Sequence, residues 1–289
     1  MKKALIAITT ILLSIPILAS CSFTTGTMYA NGDAYSVGNA EFSENIEKIE
    51  IDWTSGKVNI LPASSDKISI EEKTSRDVSE NEQMHYLLDG KTLKIKFVKS
   101  GTPLISAVTK ELNVYIPENS SVKELDVGTA SANINAEVSG VASASFSTAS
   151  GDVGAVLDGA KDIDLDTASG RTEIVCKGEV NEFEANSASG DMQITADHIA
   201  DADIETASGK IECVFGKTPD KLDVDTASGE VRLTLPENAG FTADIDTASG
   251  SFNCEFATVR NGNSYVCENG ASKISVSTAS GDIDFLKAD

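Results

Sequence analysis

The chain has 289 residues, and its 45 acidic side chains against 23 basic ones leave a formal charge of −22. That balance excludes a nucleic-acid partner, because binding to phosphates needs a basic face. Twenty-two glycines, six prolines and one tryptophan suit an all-β chain with many tight turns.

Lys2 and Lys3 are followed by the almost wholly apolar run 4–17 and then by Leu18-Ala19-Ser20-Cys21. This pattern predicts a secretory signal peptide over residues 1–20, too short to be a membrane-spanning helix. Its ending resembles the lipobox of bacterial lipoproteins, which implies cleavage before Cys21 and lipid attachment to that thiol. Acyl chains anchor through buried methylenes at ~0.8 kcal/mol each, so the chain is expected to be extracytoplasmic and lipid-anchored to the bacterial cell membrane. Residues 21–41, rich in Ser, Thr, Gly, Asn and Ala, read as a flexible tether from Cys21.

Residues 42–122 read as an irregular N-terminal β cap. "NIEKIEIDWTSGKVNILP" alternates Ile49, Ile51 and Trp53, turns at Ser55-Gly56, and resumes with Val58 and Ile60. Alternation of this kind marks half-buried strands. "KISIEE", "TLKIKFV" and "ELNVYIP" add further strands, and Asp89-Gly90 is a hairpin-like turn. Only Ser79 to Leu88 carries any helical pattern.

Over residues 123–289 the quartet Thr-Ala-Ser-Gly returns at 148–151, 167–170, 206–209, 226–229, 247–250 and 278–281, with Ser187-Ala188-Ser189-Gly190 as a close copy. Counted on the fourth letter from Ala132, the spacings are 19, 19, 20, 19, 20, 21 and 31. A period near 20 is one coil of a β-solenoid, too short for a propeller blade or a helical-repeat pair. Inward positions fall seven and five residues before the glycine, such as Ile163 and Leu165, and two and four after it, such as Ile211 and Cys213. The chain is therefore expected to turn a corner at Ser-Gly, with the threonines stacked as an inward or corner ladder. A single coil buries too little to offset its backbone entropy, so the coils must stack into one rod. The expected fold is all-β, a single-stranded parallel β-solenoid (β-helix).

"IEIDWTSGKVNI", "LNVYIPENSSVKELDVGTAS" and the serial Thr-Ala-Ser-Gly coils together resemble the bacterial putative-adhesin family of β-strand-repeat proteins, first catalogued as a domain of unknown function. The resemblance covers about residues 42–289. It implies a β-solenoid on the cell envelope, adhesion by analogy, and envelope-stress signalling as the role of some relatives. No catalytic residues come with it.

A serine nucleophile needs a base within hydrogen-bond reach, yet the serine recurs in every coil and the chain has only His85 and His198. The quartet is accordingly read as a structural corner, the chain as no enzyme, and His198 as lying on an exposed coil edge. The outward positions are more informative. Six before the glycine stand Asp164, Glu184, Asp203, Asp223 and Asp244, and four before it Asp166, Asn186, Glu205, Asp225 and Asp246. Stacked ~4.8 Å apart, six adjacent carboxylate pairs would each repel by roughly 0.9 kcal/mol in water. Two readings stay open: a solvated face that keeps the strands soluble, or a face for cations such as Ca²⁺ or for a basic partner. The Ca²⁺ repeat signature Gly-Gly-x-Gly-x-Asp is absent.

Cys176, Cys213 and Cys254 fall at inward positions, with Cys213 and Cys254 expected two coils apart. Cys254 and Cys267 flank a segment whose Asn261-Gly262-Asn263 centre suggests a hairpin, and they form a candidate disulfide in an oxidising location. The function expected is a non-catalytic envelope lipoprotein with a binding or adhesion surface for an envelope protein, cationic peptide or surface glycan. The alternative is an envelope-stress regulator that engages a membrane sensor or a cationic antimicrobial peptide.

Overall fold

The computed structural model describes residues 28–103 and 108–288, so the expected signal peptide, Cys21 and the part of the expected tether up to residue 27 lie outside the described residues. The first half contains β1 (Ser36–Val37), β2 (Ala40–Phe42), β3 (Lys48–Pro62), β4 (Ile68–Thr74), β5 (His85–Asp89), β6 (Thr92–Lys96) and β7 (Lys110–Ile116). The repeats supply β8 (Glu124–Ser139), β9 (Ser143–Thr148), β10 (Val153–Asp158), β11 (Asp162–Ser169), β12 (Thr172–Ser189) and β13 (Met192–Ser208). There follow β14 (Ile211–Phe215), β15 (Lys221–Ser228), β16 (Val231–Leu235), β17 (Phe241–Ser249) and β18 (Phe252–Cys254). The chain ends with β19 (Thr258–Asn261), β20 (Ser264–Cys267), β21 (Ser272–Ser280) and β22 (Ile283–Lys287).

Each repeat lays down one strand before the corner and one after it, and both pair with their equivalents in neighbouring repeats. The pre-corner strands run β1-β5-β6-β3-β8-β9-β11-β12-β13-β15-β21-β17-β20-β19. The post-corner strands run β2-β4-β7-β3-β8-β10-β12-β13-β14-β16-β22-β18. The long strands β3, β8, β12 and β13 give one half to each row, bending between them. Pairing is parallel through the repeats and antiparallel at the ends, where short strands and hairpins close the rows. Short terminal strands limit the free edge that could pair with other chains.

The predicted inward positions form the core between the rows. Ile163, Leu165, Phe183, Ile204, Leu222, Val224, Ile194, Cys213 and Leu233 are all buried. Phe252 and Cys254, on the terminal strand β18, are only partly covered. Thr129, Thr148, Thr167, Ser187, Thr206, Thr226 and Thr278 stack as a buried column, so the threonine ladder points inward. The glycine of the quartet is explained by its neighbour: a Cβ on Gly190 would lie 2.1 Å from the carbonyl oxygen of Gly170. Gly209 meets the same crowding, 2.2 Å from Gly190, and also has φ 140°, a conformation that a side chain disfavours.

Four expectations change. Residues 28–41 are no tether: β1 pairs with β5, β2 pairs with β4, and the Tyr29 hydroxyl donates to the Val98 carbonyl at 3.0 Å. Ser79 to Leu88 forms only a 3-10 turn, Glu80–Glu82, before entering β5, because Ser79 and Glu82 bond each other locally. His198 is buried, not on an exposed edge, and lies 3.6 Å from Asp220. The stack also departs from chain order: β21 and β22 slide between β15/β16 and β17/β18. Cys213 and Cys254 are therefore three strands apart, through Leu233 and Phe285.

Candidate binding face

Of the 45 acidic residues, 30 lie in residues 124–289 together with only 10 of the 23 basic ones, so the negative charge belongs to the repeats. On the outward face of the pre-corner row, Asp164, Glu184, Asp203 and Asp223 are successive neighbours. Beside them run Asp166, Asn186, Glu205 and Asp225. The inserted β21 then places Ser275 and Ser277 next to Asp223 and Asp225, and only beyond it come Asp244 and Asp246. Two of the six expected like-charge pairs, Asp223 with Asp244 and Asp225 with Asp246, are thus separated by a serine row. Four remain, worth roughly 4 kcal/mol of repulsion before salt screening.

The columns also extend further than expected. Glu50 neighbours Asp126, and Asp52 occupies the second column beside Gly128. Both stand at the same offsets from Gly56 as the others from their own glycine, so the repeat rule would have found them. There the charge is compensated: Lys48 reaches Glu50 at 3.1 Å and Glu124 at 3.6 Å, and Lys96 pairs with Asp52. In the repeats compensation is sparse. Lys221 bridges Asp201 at 3.0 Å and Asp223 at 3.1 Å, and the Asn186 amide donates to Glu184 at 3.1 Å.

Partial burial, reinforced by the neighbouring Asp166 and Glu184, pushes the Asp164 carboxyl above the usual range. Burial together with Asp223 does the same to Asp203, and burial together with Asp203 and Asp225 to Glu205. Asp225 is raised by burial although the Ser277 hydroxyl, which bonds it, pulls the other way. The face is thus a row of carboxylates held against their own repulsion. Among the described residues no three acidic, histidine or cysteine side chains converge as a metal site would require.

Four of the corner serines, Ser131, Ser150, Ser169 and Ser189, spend their hydroxyls on the preceding coil. Ser131 donates to the Thr54 carbonyl at 3.2 Å, Ser169 to Ala149 at 3.3 Å and Ser189 to Ala168 at 3.4 Å. His85 is buried with Nδ1 3.0 Å from the Gln83 carbonyl, in the wall of a polar cleft shared with Asp33, Ser36, Glu80 and Lys99. Among the described residues no hydrogen bond joins His85 to any of those four side chains. Burial pushes the Cys176 thiol up to about 12. Cys254 and Cys267 are free thiols, with Cys267 Sγ 3.3 Å from the Ala239 carbonyl, so the candidate disulfide is not formed. The hairpin they flank is present as β19 and β20, laid antiparallel on β17.

One residue escaped sequence reading altogether. Lys110 is fully buried, 2.7 Å from Glu72, with Nζ bonded to the Glu82 and Phe97 carbonyls and 4.3 Å from the Phe97 ring centroid. It ties β4, β7 and the Glu80–Glu82 turn to the first corner. Its place at the head of a strand in "TKELNVYIP" gave no hint of burial, since lysine is almost never fully buried unless paired.

These features define an all-β repeat protein that carries two columns of acidic side chains on one row of strands. The chain belongs to the Toastrack DUF4097 family, whose match spans residues 46–285. No curated protein matches the sequence. Similar solved structures include a putative cell adhesion protein from Clostridium sporogenes, 13% identical, covering 88% of this chain and 100% of its own with a TM-score of 0.33. A putative lipid binding protein from Parabacteroides distasonis is 14% identical over 87% of this chain and 96% of its own, with a TM-score of 0.45. A putative adhesin from Bacteroides fragilis is 11% identical over 87% and 97%, with a TM-score of 0.42. Among the described residues no helix is long and apolar enough to cross a membrane.

Proposed function

We propose that the protein is a lipid-anchored, extracytoplasmic β-solenoid that works without catalysis, as a binding or adhesion surface for a basic partner. The observation that carries this reading is the uninterrupted run Asp164-Glu184-Asp203-Asp223 beside Glu205-Asp225. Stacked carboxylates with few cations between them are complementary to a repeating positive charge, and such complementarity governs specificity and encounter rate. The rigid ladder spaces them at ~4.8 Å, close enough for several to act on one polycation. The leader and Cys21 support attachment at a membrane, and the acidic repeats would then project from it.

The test is binding of an oligolysine peptide to the full-length lipoprotein in neutral vesicles, compared with a variant carrying Asp203→Asn, Glu205→Gln, Asp223→Asn and Asp225→Asn. At least a tenfold loss of affinity in the variant, together with steep weakening by salt, is the expected result. Equal binding by both proteins would overturn the reading.

A further inference from the structure

The last strand pair breaks the order of the stack, and the slot it fills has two equivalent walls. Leu222, Val224, Thr226 and Ser228 of β15 face Ile274, Val276, Thr278 and Ser280 of β21 on one side. The same four face Ala243, Ile245, Thr247 and Ser249 of β17 on the other. β22 is held in the same way between β16 and β18. The corner obeys the rule of every other coil, since a Cβ on Gly281 would lie 2.0 Å from the Gly229 carbonyl oxygen.

A strand pair lying between two others can enter only while those two are apart. The linkers make that opening feasible. Residues 236–240 carry the chain from β16 to β17 across two strand spacings, whereas the equally long 216–220 carry it from β14 to β15 across one. Five residues therefore suffice for either spacing, and the coil β17/β18 can stand off from β15/β16 or close on it. The insert itself hangs on the turn Glu268–Ala271, which contains Glu268 at φ 49° and Gly270 at φ 64°.

Charge decides what the slot accepts. Its walls present Asp223 and Asp225 on one side and Asp244 and Asp246 on the other, while the insert meets them with Ser275 and Ser277. Strands from the acidic coils, such as 164–166 or 203–205, would set carboxylates against carboxylates there. Two coils combine the Thr-Ala-Ser-Gly corner with uncharged side chains at both columns, β9/β10 with Ser145 and Ser147 and the C-terminal pair with Ser275 and Ser277, and of these only the C-terminal pair lies out of chain order in the stack.

We propose that this slot is a strand-acceptor site whose ligand, besides the chain's own residues 272–287, is the same segment of a second copy. Neighbouring molecules would then exchange their C-terminal strand pairs and become linked. Exchange of an identical element reproduces every contact of the closed monomer, which makes it a low-cost route to a dimer. Molecules confined side by side on a membrane would favour it further by raising the local concentration.

Disulfide trapping across β15 and β21 tests this in the full-length chain, in a background with Cys254→Ser and Cys267→Ser. Adjacent parallel strands put Cα atoms ~4.8 Å apart, within disulfide reach. One copy carries Asp223→Cys, a differently tagged copy carries Ser275→Cys, and the two are co-expressed and then oxidised. The expected result is a covalent heterodimer that contains both tags. A single chain carrying both substitutions should oxidise internally. If it does not, the strand order is wrong and the proposal falls with it. If it does while the mixture stays monomeric, exchange is refuted. As a further control, Asp166→Cys and Asn186→Cys on separate copies probe neighbouring strands of consecutive coils, and a heterodimer formed there to the same extent would show random collision and likewise overturn the proposal.

Discussion

Asp203→Asn should make the protein more stable, although it removes an ionised side chain from the proposed binding face. Asp203 has Glu184 on one side and Asp223 on the other in the parallel ladder. Each neighbour at ~4.8 Å repels it by roughly 0.9 kcal/mol in water, and screening at 0.15 M ionic strength reduces the two together to about 1 kcal/mol. Lys221, bound to Asp201 and Asp223, attracts Asp203 and offsets part of that. A net gain of roughly 0.5–1 kcal/mol remains, equivalent to a rise of about 1–4 °C in melting temperature for a chain of this size. Thermal melts of both proteins in low salt and in 1 M salt would measure it, since the Debye length of about 3 Å at 1 M nearly abolishes the effect. A destabilised variant, or a gain that ignores salt, would refute the argument that the columns are held against their own repulsion.

Three further predictions concern the fold. Gly190→Ala should cost more than about 4 kcal/mol, at the extreme end of single substitutions, because its Cβ would sit 2.1 Å from the Gly170 carbonyl oxygen. Ser189→Ala should stay within about 0.5 kcal/mol, since the hydroxyl makes only a 3.4 Å bond at the surface; equal costs in denaturant titrations would contradict the corner argument. Lys110→Met should cost about 3–5 kcal/mol by leaving the Glu72 carboxylate buried and unpaired, and adding Glu72→Leu should recover most of it; a double variant no better than the single one would show that the ion pair is not what the cap depends on. Stability should rise as the pH falls from 7 to about 5, because Asp126, Asp164, Asp203, Glu205 and Asp225 have raised folded-state values and the native state binds more protons in that window. It should then fall below about pH 4, as Glu82, held down to about 2 chiefly by Arg76, and the lowered Glu47 and Asp282 become protonated. A melting temperature that drops steadily from pH 7 downward would reverse the sign and refute the assignment.

Local rules carried much of the reading. The repeat of about 20 residues, the inward parity of residues such as Leu165 and Ile194, the corner glycine and the hairpin around Asn261-Gly262-Asn263 were all legible, because side-chain alternation and turn chemistry act within one coil. Four successive residues of the first acidic column were legible for the same reason, since parity alone puts Asp164, Glu184, Asp203 and Asp223 on one face. Reading failed where a residue's environment is supplied from far along the chain. The burial of Lys110 depends on Glu72, Glu82 and Phe97, which the fold of the first half brings around it. The packing of residues 28–41 depends on β4 and β5, which small polar letters do not announce.

By itself, then, the amino-acid order determined the period, the face of each strand and the charge that each face carries, since all three follow from alternation and from one recurring turn. The order in which coils stack is another matter. Every coil presents the same register of apolar, threonine and serine positions, so β21 fits β15 and β17 equally well and sequence similarity cannot rank its neighbours. Only the tertiary structure decided that the last pair of strands lies inside the stack, where Ser275 and Ser277 separate carboxylates that chain order alone would have set side by side.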